Sequence, residues 1–211
     1  KVFNMKRLLL ILILALGVQT LTKADDIKDF QIEGMSIGDS LLDFFSKDKI
    51  EIEKKNKYSF KYKNNEYVQI GASSNKSYLL NINSNKYDDL SIVIKTIDNT
   101  YKIYSIGGRI FCKKDIDVCK SKKKEIVKEL TLFFDDNVEI DNETKKHFAD
   151  LTGNSNTFNT YFNFESEKGH ISVSVYDWSK ENNKKNIPDN LKIIIISAEF
   201  EDFLTNVEYA E

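Results

Sequence analysis

The chain has 211 residues with 31 basic and 33 acidic side chains, one proline and two cysteines. Its only arginines are Arg7 and Arg109, and it lacks the net positive charge and guanidinium forks of a nucleic-acid-binding protein, which excludes nucleic acid as an expected partner. Lysine, asparagine and isoleucine are all abundant and all have AT-rich codons, so genome composition is the first explanation of any lysine cluster.

Met5, Lys6 and Arg7 lead into the apolar run Leu8 to Leu16, and Thr22 and Ala24 place small residues at the minus-three and minus-one positions of a cleavage site. That layout is a secretory signal. The apolar run is shorter than the roughly 20 residues of a spanning helix, and no later segment approaches that length. The expected organisation is a signal peptide at 1–24, with 1–4 as an upstream extension, and one exported domain at 25–211. Its expected location is the periplasm or the exterior, with no transmembrane segment in the mature chain. Loss of Lys1, Lys6, Arg7 and Lys23 leaves 27 basic against 33 acidic groups.

Ser36 to Phe45 has Ile37, Leu41, Phe44 and Phe45 at helical spacing behind a Ser36 or Asp39 cap, which predicts a short helix. Tyr58, Phe60 and Tyr62 then alternate with polar residues, and Asn64-Asn65 turns the chain back into Val68 and Ile70, a hairpin. Further strands are predicted at Tyr78 to Ile82, Leu90 to Ile97 and Tyr101 to Phe111, the last two joined by Asp98-Asn99. Short, locally connected strands favour an antiparallel sheet. Ile116, Cys119, Ile126, Val127, Leu130, Phe133 and Phe134 recur at helical intervals and predict a helix from about Asp115 to Phe134. Cys112 and Cys119, an even count at short spacing in an exported chain, predict a disulfide.

An acidic loop is expected at Asp135 to Glu143, followed by strands around Phe158 to Phe164 and Ile171 to Val175 with a turn at Gly169. Leu191 to Ile196 is apolar on both faces and reads as a central strand. The acidic tail after Ala198 is compatible with a short helix. The fold class is therefore α+β, an antiparallel sheet with two main helices packed on one face. The order helix, strands, helix, strands leaves open a division into halves 25–111 and 112–211.

Two motifs overlap near the start. Gly34, Ser36 and Gly38 match G-x-S-x-G, but the half-polar Phe30 to Glu33 and the following hairpins are not the strand and βα context of a nucleophile elbow. Gly38-Asp39-Ser40-Leu41 resembles the opening block of the GDSL esterases and lipases. That resemblance implies Ser40 as nucleophile with a histidine base, here His170. The oxyanion and histidine blocks of that family are matched poorly by Gly153-Asn154-Ser155-Asn156 and Glu167-Lys168-Gly169-His170. The same stretch, Gly34-Met35-Ser36 followed by Leu41-Leu42, resembles the opening of small periplasmic α+β domains of the β-lactamase inhibitor protein and outer-membrane assembly lipoprotein type. The Gly-x-Pro and the lipid-bearing cysteine of that group are absent. This second resemblance implies a sheet face that binds another protein without catalysis.

The remaining candidates carry less chemistry. Asp135, Asn137, Glu139, Asp141 and Glu143 alternate oxygen donors, yet Ile140 and Lys146 stand where a calcium loop requires glycine and glutamate. Lys120, Lys122, Lys123, Lys124 and Lys128 make one helix basic. His147 has Asp150 nearby, and Tyr176 with Trp178 forms a candidate binding surface on one strand face. The expectation is a binding module without cofactor or metal whose partner is another envelope or extracellular protein, with an ester hydrolase using Ser40 as the alternative.

Overall fold

The computed structural model describes residues 26–73, 78–82, 84–112, 115–134, 138–164, 169–184 and 187–210. The expected signal segment at 1–24 lies outside them, as do 135–137 of the expected acidic loop. Eight strands form one sheet: β1 (Phe60–Lys61), β2 (Tyr67–Ala72), β3 (Asp89–Lys95), β4 (Ile103–Phe111), β5 (Glu139–Lys146), β6 (Asn156–Asn163), β7 (His170–Asp177) and β8 (Asn190–Ile196). Their order is β1-β2-β3-β4-β8-β7-β6-β5, and every neighbouring pair is antiparallel. Each set of four is an up-and-down meander, and the final strands of the two sets, β4 and β8, pair at the centre. One meander follows helix α1 (Lys47–Glu53) and the other follows α2 (Ile116–Phe133). Two further short helices, α3 (Lys180–Lys184) and α4 (Ala198–Phe203), flank β8. The chain is thus α+β with an antiparallel sheet, as its alternation pattern implies.

Side chains alternate across a strand, so the register gives the sheet two different faces. One cross-strand row reads Ile70, Ile92, Ile106, Ile195, Ile171, Phe162.

 The rungs of this row are direct Cα partners, with Ile106 at the centre, and every member is almost fully buried. This face carries the main core, which also takes Ile50 from α1, Leu130 from α2 and the segment from Ile27 to Leu41. A neighbouring row on the opposite face reads Asp89, Arg109, Lys192, Ser174, Asn159, Glu143. There, α4 supplies Phe200 and Phe203 to a small aromatic cluster with Tyr67, Val93 and Tyr104. That cluster covers the end of the face near the C-terminus of β8, and the remainder is the open face.

The helix α2 starts at an Asp115 cap, whose carboxylate accepts from Asp117 N at 2.9 Å. It packs its Cys119 and Leu130 side on β7 and β8. Its N-terminal part is tied to the end of β4 by the Cys112–Cys119 disulfide, across a Cα separation of 5.6 Å. In the chain-entropy account, so short a loop contributes about 2 to 3 kcal/mol. Among the described residues, no helix is long and apolar enough to cross a membrane.

Three expected elements are corrected. The segment expected as a helix at 36–45 is a turn followed by a single 3-10 turn at Leu41–Asp43. Gly38 is left-handed at φ 92°, a conformation that interrupts a helix and suits glycine. Its neighbours bond to Tyr101 and Ile103 instead, through Gly38 N to Ile103 O and Leu41 N to Tyr101 O. The helix beside it is α1, further along at Lys47–Glu53. The segment from Glu139 to Glu143, expected as a loop, is the greater part of strand β5, an edge strand whose residues are all exposed. Among the described residues, the expected strand at Tyr78 to Ile82 makes a single parallel bridge, Leu80 with Ala72.

Candidate functional site

At the far end of the open face, the connection between β5 and β6 is a tight loop held by Asp150. One carboxylate oxygen accepts from Thr152 N at 3.0 Å and Thr152 Oγ1 at 2.7 Å, and the other from Ser155 N at 2.9 Å and the Ser155 hydroxyl. These bonds, those from Ser155 above all, hold the Asp150 carboxyl well below the usual carboxylate range. Asp150 N donates to His147 O and Gly153 N to Asp150 O, while Gly153 takes φ 69° to close the turn. Ser155 is buried and ties the loop to the chain after β7, its hydroxyl accepting from Ser179 N at 2.9 Å. Trp178 N donates to Asp189 Oδ1 at 2.7 Å, which fixes the neighbouring connection as well.

This anchored loop holds two large apolar side chains out in water: Phe148 is 85% exposed and Leu151 99% exposed. Beside them stands an aromatic group. The His147 ring lies 4.2 Å from Trp178, 5.6 Å from Tyr176 and 5.1 Å from Phe148, measured between centroids, and Tyr176 stacks on Trp178 at 6.3 Å. Tyr176 and Trp178 are thus brought together, and His147 joins them. His147 Nδ1 accepts from Ala149 N at 3.1 Å. Burial pushes the imidazole below its ordinary value, with Asp150 acting in the opposite direction. The indole Nε1–H of Trp178 is buried and has no acceptor among the described residues. Phe148 and Leu151 belong to the same surface although sequence reasoning passed over them. Isolated apolar residues among polar ones have no periodicity, and their local signal is the Asp-x-Thr and Ser155 turn chemistry that fixes the loop.

The structure places the other candidates apart. Ser40 caps the 3-10 turn by accepting from Leu42 N at 3.3 Å, and its hydroxyl donates to Thr100 O at 2.7 Å. Ser40 pairs with Lys102 at the start of β4, whereas His170 begins β7, with β8 lying between those strands. Two strand spacings, about 9.6 Å, already exceed hydrogen-bond reach. His170 Nδ1 instead lies 3.0 Å from Glu201 Oε1 of α4 and pulls that carboxyl below its ordinary value. Ser36, of the G-x-S-x-G match, is buried and donates to Lys28 O and Phe30 O. The loop at 147–155 contains a His, an Asp and a Ser, but the Ser155 hydroxyl donates to Asp150 directly, with no imidazole between them.

On the basic helix, Lys123 reaches under the sheet edge to donate to Thr160 Oγ1 at 2.8 Å, and Lys120 lies 4.6 Å above the Phe158 ring. In β5, Asp141 accepts from Asn163 and Glu143 binds Lys145, so both are engaged along the strand. Among the described residues, no group of three or more His, Cys, Asp or Glu side chains is arranged to hold a metal ion. Comparison with known proteins finds no matching family model, no matching curated protein and no matching solved structure.

Proposed function

We propose that the chain is an exported binding module that holds a partner protein against the aromatic end of the open face. The observation that carries this reading is the pair Phe148 and Leu151, exposed on a loop whose backbone is fixed by Asp150. Leaving such groups in water costs about 1.5 to 3 kcal/mol each relative to burial, and a preordered loop loses little entropy when covered. The adjacent aromatic residues have the composition of interface anchors. Export is supported by the charged, apolar and small-residue order of the first 24 residues and by the disulfide. The resemblance carried by Gly34-Met35-Ser36 and Leu41-Leu42 points to the same kind of activity.

The test is capture of envelope proteins on the immobilised chain, compared with a Phe148→Ser/Leu151→Ser variant whose circular dichroism and melting match the parent. A specific protein retained by the parent and lost by the variant is expected. Identical retention by both chains would remove the aromatic end from the function. In parallel, a fluorophosphonate probe leaves Ser40 unlabelled; labelling that disappears in Ser40→Ala would replace the binding reading with an ester hydrolase.

A further inference from the structure

The row Asp89, Arg109, Lys192, Ser174 crosses the middle of the open face. Arg109 and Lys192 are direct partners on β4 and β8, an arrangement in which like charges repel. Asp89 engages one edge of the Arg109 guanidinium, through Nε at 2.9 Å and Nη2 at 2.6 Å, and the plane lies 5.1 Å from the Phe111 ring. Nothing among the described residues accepts from Arg109 Nη1 or from Lys192 Nζ. Lys192 is partly buried on a central strand, and that burial together with the Arg109 charge pushes its amine down to about 8. An acceptor placed against this partly desolvated ammonium offsets the cost of its burial.

We propose that Lys192 and Arg109 form a seat for one carboxylate on the open face, occupied by an acidic side chain of the bound partner. The identity of that occupant as part of a protein rests on the function proposed above. Arg109 and Lys192 carry two positive charges against the single negative charge of Asp89, so a monoanion neutralises the group. A phosphate dianion would leave excess negative charge beside Asp89. A carboxylate fits the donors too, one oxygen for the ammonium and the other for the unengaged Nη1 of the guanidinium. The seat is continuous with the aromatic end. Lys192 is two residues along β8 from Asn190, which is the direct partner of Tyr176, a step of about 7 Å. Ser174, the cross-strand neighbour of Lys192, stands two residues before Tyr176 on the same face of β7. The partner's acidic side chain therefore sits next to an apolar contact.

The experiment is a pH titration of the lysine ε-methylene resonances of the full chain, isotopically labelled at lysine, in sodium chloride and in sodium acetate at equal ionic strength. Lys192→Met identifies the signal. An anion that binds the ammonium form raises its midpoint. The expected result is a Lys192 midpoint below those of the surface lysines in chloride, rising saturably by about one pH unit in acetate, a tenfold linkage. Arg109→Gln removes the acetate response. Arg109→Lys, which keeps the charge but loses the second N–H, weakens it and serves if the glutamine variant does not fold. A Lys192 midpoint that acetate leaves unchanged overturns the seat, and a response to inorganic phosphate without one to acetate overturns the carboxylate assignment. Because no partner is used, an acetate response without protein capture would keep the seat and remove the proposed function. Capture without an acetate response would do the reverse.

Discussion

The two faces of the sheet share every backbone hydrogen bond and differ by one residue of register. On one face the central row is almost entirely isoleucine, and on the other it runs aspartate, arginine, lysine, serine, asparagine and glutamate. The covered face is closed by α1, α2 and the N-terminal segment, and its composition is explained by packing alone. Folding does not require the open face to place Lys192 opposite Arg109 or to hold Phe148 and Leu151 in water. These side chains, which packing does not account for, are the ones the proposed partner would cover.

Four changes break or sharpen this contrast. The largest effect is expected from Ile106→Ala, which opens a cavity in the centre of the covered row and lowers stability by about 2 to 5 kcal/mol in chemical denaturation. A loss below about 1 kcal/mol would show that the row is not the centre of the core. Next is Cys112→Ser/Cys119→Ser, which releases the joint between β4 and α2. Its expected cost is about 2 to 3 kcal/mol, read in the same denaturation experiment against the parent under oxidising conditions.

On the open face the effects are smaller and of a different kind. The folded value of His147 lies below its ordinary 6.5. Its contribution to stability is therefore complete above pH 6.5 and is lost as the pH falls toward the folded value, where the protonated ring no longer accepts from Ala149 N. An imidazole midpoint at or above 6.5 by proton NMR would contradict the environment assigned to this ring. The smallest effect belongs to Phe148→Ser/Leu151→Ser, which should move stability by no more than about 0.5 kcal/mol while removing partner capture. A large thermal destabilisation would instead make these residues part of the fold.

The same contrast explains what could be read in advance. Helix α2 is legible because it buries one stripe along five turns, and β8 because a strand with neighbours on both sides leaves the apolar run Ile193 to Ile196. Helix α1 was not legible: its sequence, Lys-Asp-Lys-Ile-Glu-Ile-Glu, buries only Ile50 and Glu53, too few positions to set a period. Strand β5 reads as a loop because it has one neighbour and no buried residue, so hydrophobic alternation has nothing to record. Tyr176 and Trp178 were visible as a local pair. The Arg109–Lys192 juxtaposition was not, since it depends on β4 and β8 meeting at the centre of the sheet, a fact of topology rather than of spacing.

Strand β5 also bears on how the molecule behaves when crowded. An exposed eight-residue edge is a template for sheet growth between copies. In β5, however, Glu139, Asp141 and Glu143 share one face. Antiparallel self-pairing centred on Ile140, Asp141, Asn142 or Glu143 places carboxylates opposite carboxylates, which opposes assembly. The acidic row that alternates along β5 thus opposes pairing of this edge with a second copy. Light scattering from concentrated solutions should rise when Glu139, Asp141 and Glu143 are replaced by their uncharged amides.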